Sequence, residues 1–256
     1  DALQQTFNLL PEDVLGGLIT FGTLVNVHEL GFGDCPKSYV FLGDKDYTAQ
    51  KIQDMLGITS VRAQQSGAQA QGGRQSALGR FLLPASECMF ALEQVLQDLQ
   101  KDPWPVESLE RCQRCTGNAL SIAMGLLESC NMQKQGSRIM AFAAGPATIG
   151  NGKIVNLSKK DNIRSHTDMA KNQAPLYEPA CNFYRNLAER AIAISAVVDL
   201  FACSLDQTGA LELKQVTGRT GGVIVLGDKF NQSLFRESLS RAFKRHPDTP
   251  AEDGKP

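Results

Sequence analysis

Two cysteines, Cys112 and Cys115, stand three residues apart in the stretch RCQRCTGNALSIAMGLL (residues 111–127), just before an apolar helical pattern. This spacing is found in half of a zinc site and in redox dithiols at helix starts. Zinc usually needs about four ligands. The other cysteines are scattered singly, however, and no two histidines are neighbours. A thioredoxin-type dithiol requires a strand before the cysteine pair, and the preceding PVESLERCQR does not have a strand pattern. We therefore expect no zinc, and two thiols in a loop that leads into a helix, with Thr116 as a plausible cap.

A glycine-rich stretch, TGRTGG at 217–222, runs into a strand pattern. Loops that cradle phosphates run instead from a strand into a helix, so a structural turn is the better interpretation. His28 falls on a strand pattern and His166 in a polar loop, and no serine or cysteine stands in a nucleophile elbow. We predict no catalytic residues in this chain.

The segment NLSKKDNIRSHTDMAKN, residues 156–172, is charged and mostly polar, with one basic cluster. Such a segment is either a solvated surface loop or a surface that binds a partner. The residue pattern alone leaves both interpretations open.

Composition excludes several classes of protein. The chain has 256 residues, 42% of them hydrophobic, and a net charge of −1, which does not fit a nucleic-acid binder. No apolar run is long enough to span a bilayer, and residues 1–15 lack the features of a signal peptide. Seven cysteines, an odd number, are typical of reduced thiols in a cytosolic protein.

Strand and helix patterns alternate along the second half of the chain, which predicts an α/β fold with a mainly parallel sheet covered on both faces. The strands are predicted at 18–21, 24–30, 38–43, 138–145, 198–204 and 222–227, and the main helices at 48–56, 85–100, 181–197, 209–217 and 234–243. We expect one domain over 1–245, a flexible insertion at 59–80, which is rich in Gln, Ala, Gly and Ser, and a disordered tail or linker at 246–256.

Several stretches, taken together and in order, resemble one family closely. They are PEDVLGGLITFGTLVNVHELG, SYVFLGDKDYTAQKIQDMLG, LQDLQKDPWPV, RCTGNALSIAMGLL, RIMAFAAGPATIGNGKIVN, IRSHTDMAKN, DLFACSLDQTGALELK and TGGVIVLGDKFNQSLF. They are similar to the trunk domain of the SEC23 family, the GTPase-activating inner-coat subunit of the COPII vesicle coat. The resemblance runs from residue 1 to about residue 245 and is interrupted mainly at 59–80.

The resemblance implies a von Willebrand A-like fold, a mostly parallel central sheet with helices on both faces. In metal-binding domains of this type, a threonine in one loop helps carboxylate and serine side chains to hold a divalent ion. Thr116 matches that threonine, but AAGPATIG offers no carboxylate after its strand. Divalent hard cations need oxygen ligands, so we expect a degenerate site without metal. The rival interpretation is a free-standing A-type domain that binds its ligand through a metal.

For function, the resemblance implies a scaffold in transport from the endoplasmic reticulum to the Golgi. Its partners would be a Sar-type small GTPase, the cargo-binding SEC24 family subunit, outer-coat subunits and, peripherally, the endoplasmic reticulum membrane. The family's arginine finger lies in a gelsolin-like module after the trunk and its zinc in a module before it, so we expect neither an enzyme nor a cofactor here. The partner-binding candidates are Ile163, Arg164, Ser165 and His166.

The chain begins in a helical pattern with Leu3, Phe7 and Leu10 on one face. The resemblance places a central strand before this helix, between the strands that match 18–21 and 139–142. Without it two strands would expose unpaired edges. We therefore expect residues 1–256 alone to aggregate or to remain molten, and the upstream strand to restore a cooperative fold.

Overall fold

A computed structural model describes residues 14–31, 37–58, 78–130 and 135–243. The strands are β1 (Leu15–Gly16), β2 (Ile19–Phe21), β3 (Leu24–Glu29), β4 (Lys37–Leu42), β5 (Leu83–Pro84), β6 (Ser137–Ala143), β7 (Ala196–Cys203) and β8 (Ile224–Gly227). The helices are α1 (Ala49–Leu56), α2 (Ala85–Asp98), α3 (Thr116–Cys130), α4 (His166–Ala170), α5 (Tyr177–Ala193), α6 (Ala210–Arg219) and α7 (Ser233–Phe243). The predicted α/β class is confirmed.

The parallel sheet has the order β6-β7-β8, with Leu200 of β7 opposite both Ala141 and Ile224. Alternate residues of a strand point to opposite faces, and β7 is buried on both. On one face, Val198, Leu200 and Ala202 join a cluster with residues of α3, α5 and α6. On the other, Phe201 and Cys203 pack with Phe235 and Leu239 of α7. Helices therefore cover both faces, as predicted.

A second sheet is antiparallel, with the order β2-β3-β4. Its buried side chains Val25, Val27 and Phe41 pack against α1 and α3 in a cluster that includes Ile52 and Ile122. Because α3 also contributes Leu120 and Met124 to the core of the parallel sheet, one helix connects the two halves of the structure. A short antiparallel pair, β1 and β5, leads into α2 and was not predicted.

Arg80 corrects one boundary of the predicted insertion at 59–80. Residues 59–77 lie outside the described residues, but Arg80 is held firmly: its guanidinium bonds both carboxylate oxygens of Glu29, at 2.7 and 3.1 Å. It also donates to the hydroxyl of Tyr39 and to the carbonyl of Leu56. Arg80 is therefore anchored on the antiparallel sheet, directly before Phe81 of its core cluster, whereas the predicted insertion extends to residue 80. The predicted tail at 246–256 also lies outside the described residues.

The boundary between α5 and β7 was predicted too late. The helix was expected at 181–197 and the strand at 198–204, whereas the helix ends at Ala193 and the strand begins at Ala196. Ser195 adopts a left-handed conformation, with φ 54°, and makes the turn. The sequence AIAISAVV is apolar on both sides of that turn, so no glycine or proline marks it.

In the described part of the chain, no helix is long and apolar enough to cross a membrane.

Glu29 supplies a prediction about acid stability. Hydrogen bonds from Arg80, the main cause, and from Lys37 and Tyr39 lower the pKa of Glu29 to about 2, although burial opposes them. Because the folded pKa is below the unfolded value, this stabilisation is complete above about pH 4.5 and is lost as the pH falls towards 2. It amounts to about 3 kcal/mol at most.

We expect Glu29→Gln to lower the free energy of unfolding at pH 7 and to flatten its pH dependence between pH 5 and about 2. Urea unfolding at a series of pH values measures both effects, and Asp54→Asn, on the surface of α1, is the control. A parallel loss of stability with pH in the wild type and in Glu29→Gln would contradict the prediction.

The edge strands β2 and β6 are the strands with which the expected upstream strand would pair. Among the described residues, β2 pairs with β3 alone and β6 with β7 alone, and α3 contacts both β2 and β6. The strand itself remains a prediction. If it pairs with these edges, a longer protein that includes it has a higher Tm and a sharper thermal transition than residues 1–256. If residues 1–256 and the longer protein were both monodisperse monomers with equally sharp transitions at the same Tm, the prediction would be contradicted.

Candidate protein-interaction site

The predicted partner-binding residues 163–166 lie between the parallel sheet and the surface, but they do not all face outward. Ile163 packs against the core cluster of the parallel sheet, and only Ser165 and His166 are exposed. The structure thus divides the four candidates into an inward-facing pair and an outward-facing pair.

Arg164 is bound within the chain. Its Nε and Nη2 atoms lie 2.8 and 2.6 Å from the two carboxylate oxygens of Glu212 on α6, in a bidentate pair. Glu212 is fully buried and the side chain of Arg164 is 11% exposed, with its guanidinium 5.3 Å from the ring centre of Tyr177. A buried carboxylate without its partner is costly, so Arg164 stabilises the charge of Glu212 and anchors this loop on α6.

Ser165 begins the short helix α4, in a segment that we predicted to be a loop. Its hydroxyl accepts a hydrogen bond from the Asp168 amide, and the Asp168 carboxylate accepts one in return from the Ser165 amide. This reciprocal capping box lowers the pKa of Asp168 through the hydrogen bonds that it accepts from Ser165. The spacing S-x-x-D in RSHTDM is its sequence signal.

An open cleft of about 420 Å³ lies between this loop and the start of α5. Its lining combines an apolar part with amide and charged groups: Ile154, Val155, Asn156, Lys160, Asp161, Asn162, Arg164, Asp168, Gln173, Ala174, Pro175, Leu176 and Tyr177. Side chains of both charge signs face it.

Thr116 is the first residue of α3 and is buried. Its hydroxyl has no hydrogen-bond partner. No group of three or more His, Cys, Asp or Glu side chains that could hold a metal occurs among the described residues. The expectation that this position belongs to a degenerate metal site stays a prediction.

The two cysteines of the opening motif have unlike environments. Cys112 is exposed, whereas Cys115 is fully buried before α3 and donates its amide to the carbonyl of Gly22. Burial raises the pKa of Cys115 to about 12, so its thiol stays protonated at neutral pH. A protonated, buried thiol is neither a ready metal ligand nor a nucleophile. The absence of zinc is still a prediction, which metal analysis would test.

A second surface was missed by our reading of the sequence. Between α2 and α3, residues 99–111 form an irregular loop, which we call the Trp104 loop. It exposes four large apolar side chains, namely Leu99, Trp104, Val106 and Leu109. The stretch DPWPV, in which two prolines flank a tryptophan, ends the preceding helix and belongs to the stretches that resemble the family, but its residue pattern did not lead us to predict an exposed surface.

The Trp104 loop is fixed at both ends. Near its start, the Asp102 carboxylate accepts hydrogen bonds from the amides of Thr23, at 2.6 Å, and Trp104, at 3.2 Å. Burial alone would raise the pKa of Asp102, but these bonds lower it. Near its end, the Lys159 amide donates to the Leu109 carbonyl at 2.8 Å. The loop therefore joins the border of the cleft, which Lys160 lines.

The described residues form an α/β domain with a surface of fixed loops. A parallel sheet between two layers of helices, with an antiparallel sheet beside it, carries a fixed loop surface without a recognised catalytic arrangement in the described residues. The chain has the same fold as human COPII-coat protein Sec24c, with a TM-score of 0.62 over 94% of this chain and 29% of that one. At 17% identity, this likeness concerns the fold alone.

The sequence comparison identifies the family. Residues 1–246 match the model for the "Sec23/Sec24 trunk domain", and the chain belongs to this family. It is 46% identical over 248 residues to "Protein transport protein SEC23 F" of Arabidopsis thaliana. This alignment covers 95% of the chain and 32% of that relative, so the chain spans about a third of its length.

Arg164 and Glu212 generate a prediction about stability. We expect Arg164→Met to reduce the free energy of unfolding by about 3–5 kcal/mol, because it leaves the buried Glu212 carboxylate unpaired. The double variant Arg164→Met/Glu212→Gln should be less destabilised than the sum of the two single variants. Urea unfolding of all four proteins measures the coupling, and additive losses would contradict it.

Proposed function

We propose that the chain is the trunk of a SEC23-type subunit of the COPII inner coat. In this function it is a scaffold for vesicle transport from the endoplasmic reticulum to the Golgi. It binds a Sar-type small GTPase and a SEC24-type cargo-binding subunit, contacts outer-coat subunits, and is recruited from the cytoplasm to the endoplasmic reticulum membrane. The observation that carries the proposal is the 46% identity to a SEC23 protein across almost the whole chain.

The arrangement of charges supports a scaffold. Among the described residues, four arginines donate hydrogen bonds to carboxylates: Arg80 to Glu29, Arg138 to Asp199, Arg164 to Glu212 and Arg190 to Glu128. Each pair joins segments that are far apart in sequence, and guanidinium groups suit such partly buried pairs. These arginines therefore hold strands, helices and loops of the fold together, and their guanidinium groups are bonded within the chain.

Binding to coat partners is the direct test of this function. We expect residues 1–256, extended upstream if folding requires it, to bind the Sar-type GTPase loaded with a non-hydrolysable GTP analogue, and to bind the SEC24-type subunit. Surface plasmon resonance with each purified partner measures this, and the GDP-loaded GTPase is the control. If the chain bound neither the GTPase nor the SEC24-type subunit, the proposed function would be contradicted.

GTP hydrolysis should not be accelerated by this trunk. An arginine finger contributes about 10³–10⁵-fold in rate. In the SEC23 family, the resemblance places that finger in the gelsolin-like module after the trunk. A single-turnover assay at saturating trunk should therefore give the intrinsic rate of the GTPase. Stimulation abolished by Arg219→Ala would show that an arginine of the trunk supplies the finger.

The contact predicted at 163–166 is now best tested at its exposed end. His166→Ala and Ser165→Ala change outward-facing side chains, whereas Arg164→Glu would place a second carboxylate beside the buried Glu212. If the loop contacts a partner, His166→Ala weakens binding to the SEC24-type subunit or to the GTPase while the Tm stays unchanged. Unchanged affinities for both partners would contradict the predicted contact.

A further inference from the structure

Arg114 is a half-buried arginine whose charge is not balanced by any carboxylate among the described residues. In that part of the chain, its guanidinium makes a single hydrogen bond, from Nη1 to the carbonyl of Pro146 at 3.3 Å. Four other arginines each donate to a carboxylate instead. Burial lowers the pKa of Arg114, because it removes water from the charged group. A partly buried guanidinium with most of its donors unused favours a negatively charged acceptor.

The start of α3 adds two further features that favour an anion. Thr116 is the first residue of this helix and is 1% exposed, and within the described residues its hydroxyl has no hydrogen-bond partner. The first turn of α3 contains no acidic residue. The positive end of the helix dipole and the Arg114 guanidinium, two residues earlier, therefore reinforce each other.

The strands β2 and β6 both end at this point. The amide of Cys115 donates to the carbonyl of Gly22, directly after β2, at 3.1 Å. The amide of Arg114 donates at 2.8 Å to the hydroxyl of Thr148, in the loop after β6. Among the described residues, β2 pairs with β3 alone and β6 with β7 alone. A strand that fills the gap between β2 and β6, and runs parallel to them, therefore ends beside Arg114.

The chemistry of the site selects a carboxylate. A guanidinium presents two parallel N–H groups that match the two oxygens of a carboxylate, and one guanidinium balances one such charge. The hydroxyl of Thr116 is not accessible to solvent, so it is poorly placed for a free ion. A side chain that follows a strand in the gap is instead covalently held next to it. The chain spans about a third of its SEC23 relative, so the whole protein has further segments that can supply this strand.

We propose that Arg114 and the start of α3 bind the carboxylate of an Asp or Glu that directly follows the upstream strand of the whole protein. The Arg114 guanidinium forms the ion pair, and the Thr116 hydroxyl donates a further hydrogen bond to the same carboxylate. This pair ties the end of the added strand to α3. The inference rests on the expected upstream strand and is independent of the proposed coat function.

Hydrogen-exchange mass spectrometry of the full-length protein tests the pair, because it measures local opening of α3 separately from the other parts of the molecule. Arg114→Met removes the charge and retains an apolar side chain. Arg111→Met is the matched control, since Arg111 is three residues away and donates to the carbonyls of Asn156 and Ser158 rather than to a carboxylate. We expect Arg114→Met to accelerate exchange in residues 114–119 by about ten-fold or more.

A double-mutant cycle identifies the partner. Each Asp and Glu between the upstream strand and residue 1 is changed to Asn or Gln, in the wild type and in both arginine variants. We expect one of these changes to accelerate exchange at the start of α3 in the wild type and in Arg111→Met, and to have little further effect in Arg114→Met. Thr116→Val should weaken the coupling without abolishing it.

The proposal is wrong if every acidic change in the upstream segment has the same effect with and without Arg114. It is also wrong if Arg114 couples only to an acidic residue elsewhere in the chain or in a second copy, which sedimentation velocity detects. Should Arg114→Met fail to fold, Arg114→Lys takes its place in the cycle. The lysine cannot form the two-pronged bond, so a smaller but measurable change in coupling is expected, and equal effects in the two backgrounds would again overturn the proposal.

Discussion

Helix α3 must be buried on two sides at once, and both sheets depend on it. Twelve of its fifteen residues are buried. One set faces the parallel sheet and another faces the antiparallel sheet. Such close contact restricts residue size: a Cβ atom on Gly125 would lie 2.5 Å from the Cδ1 atom of Ile52, and one on Gly117 would lie 2.0 Å from the carbonyl oxygen of Asn151. Small residues on α3 therefore allow α1 and the loop at Asn151 to pack closely against this helix.

The regular parts of this fold were predictable because their patterns are local. The buried strands of the parallel sheet are continuous apolar runs, and α1 and α2 have a clear apolar stripe. The end of α5 was not predictable from such a pattern, since Ser195 turns the chain inside a run that is apolar throughout. Arg80 was misplaced for a different reason: its partners, Glu29 and Tyr39, are remote in sequence, and composition gives no information on distant contacts.

The candidate site shows the same limit. Residues 163–166 are candidates because they match a family pattern, and the structure shows that Arg164 forms an ion pair with the buried Glu212 of α6. A match to a family pattern does not distinguish a residue that binds a partner from a residue that pairs with a buried carboxylate in the same chain. The Trp104 loop had a local signal, a tryptophan between prolines, but its exposure depends on bonds to Thr23 and Lys159 that only the folded chain brings together.

The position of Arg80 also affects how the chain tolerates changes of length. Its guanidinium bonds the carbonyls of Leu56 and Gly57, and its own carbonyl accepts from Gly31, so the two ends of the segment 58–80 are clasped by the same side chain and backbone. For a segment whose ends are already held together, each doubling of length costs only about 0.6 kcal/mol in closure entropy. A fluorescent reporter inserted between residues 58 and 80 is therefore expected to leave the cores of both sheets intact.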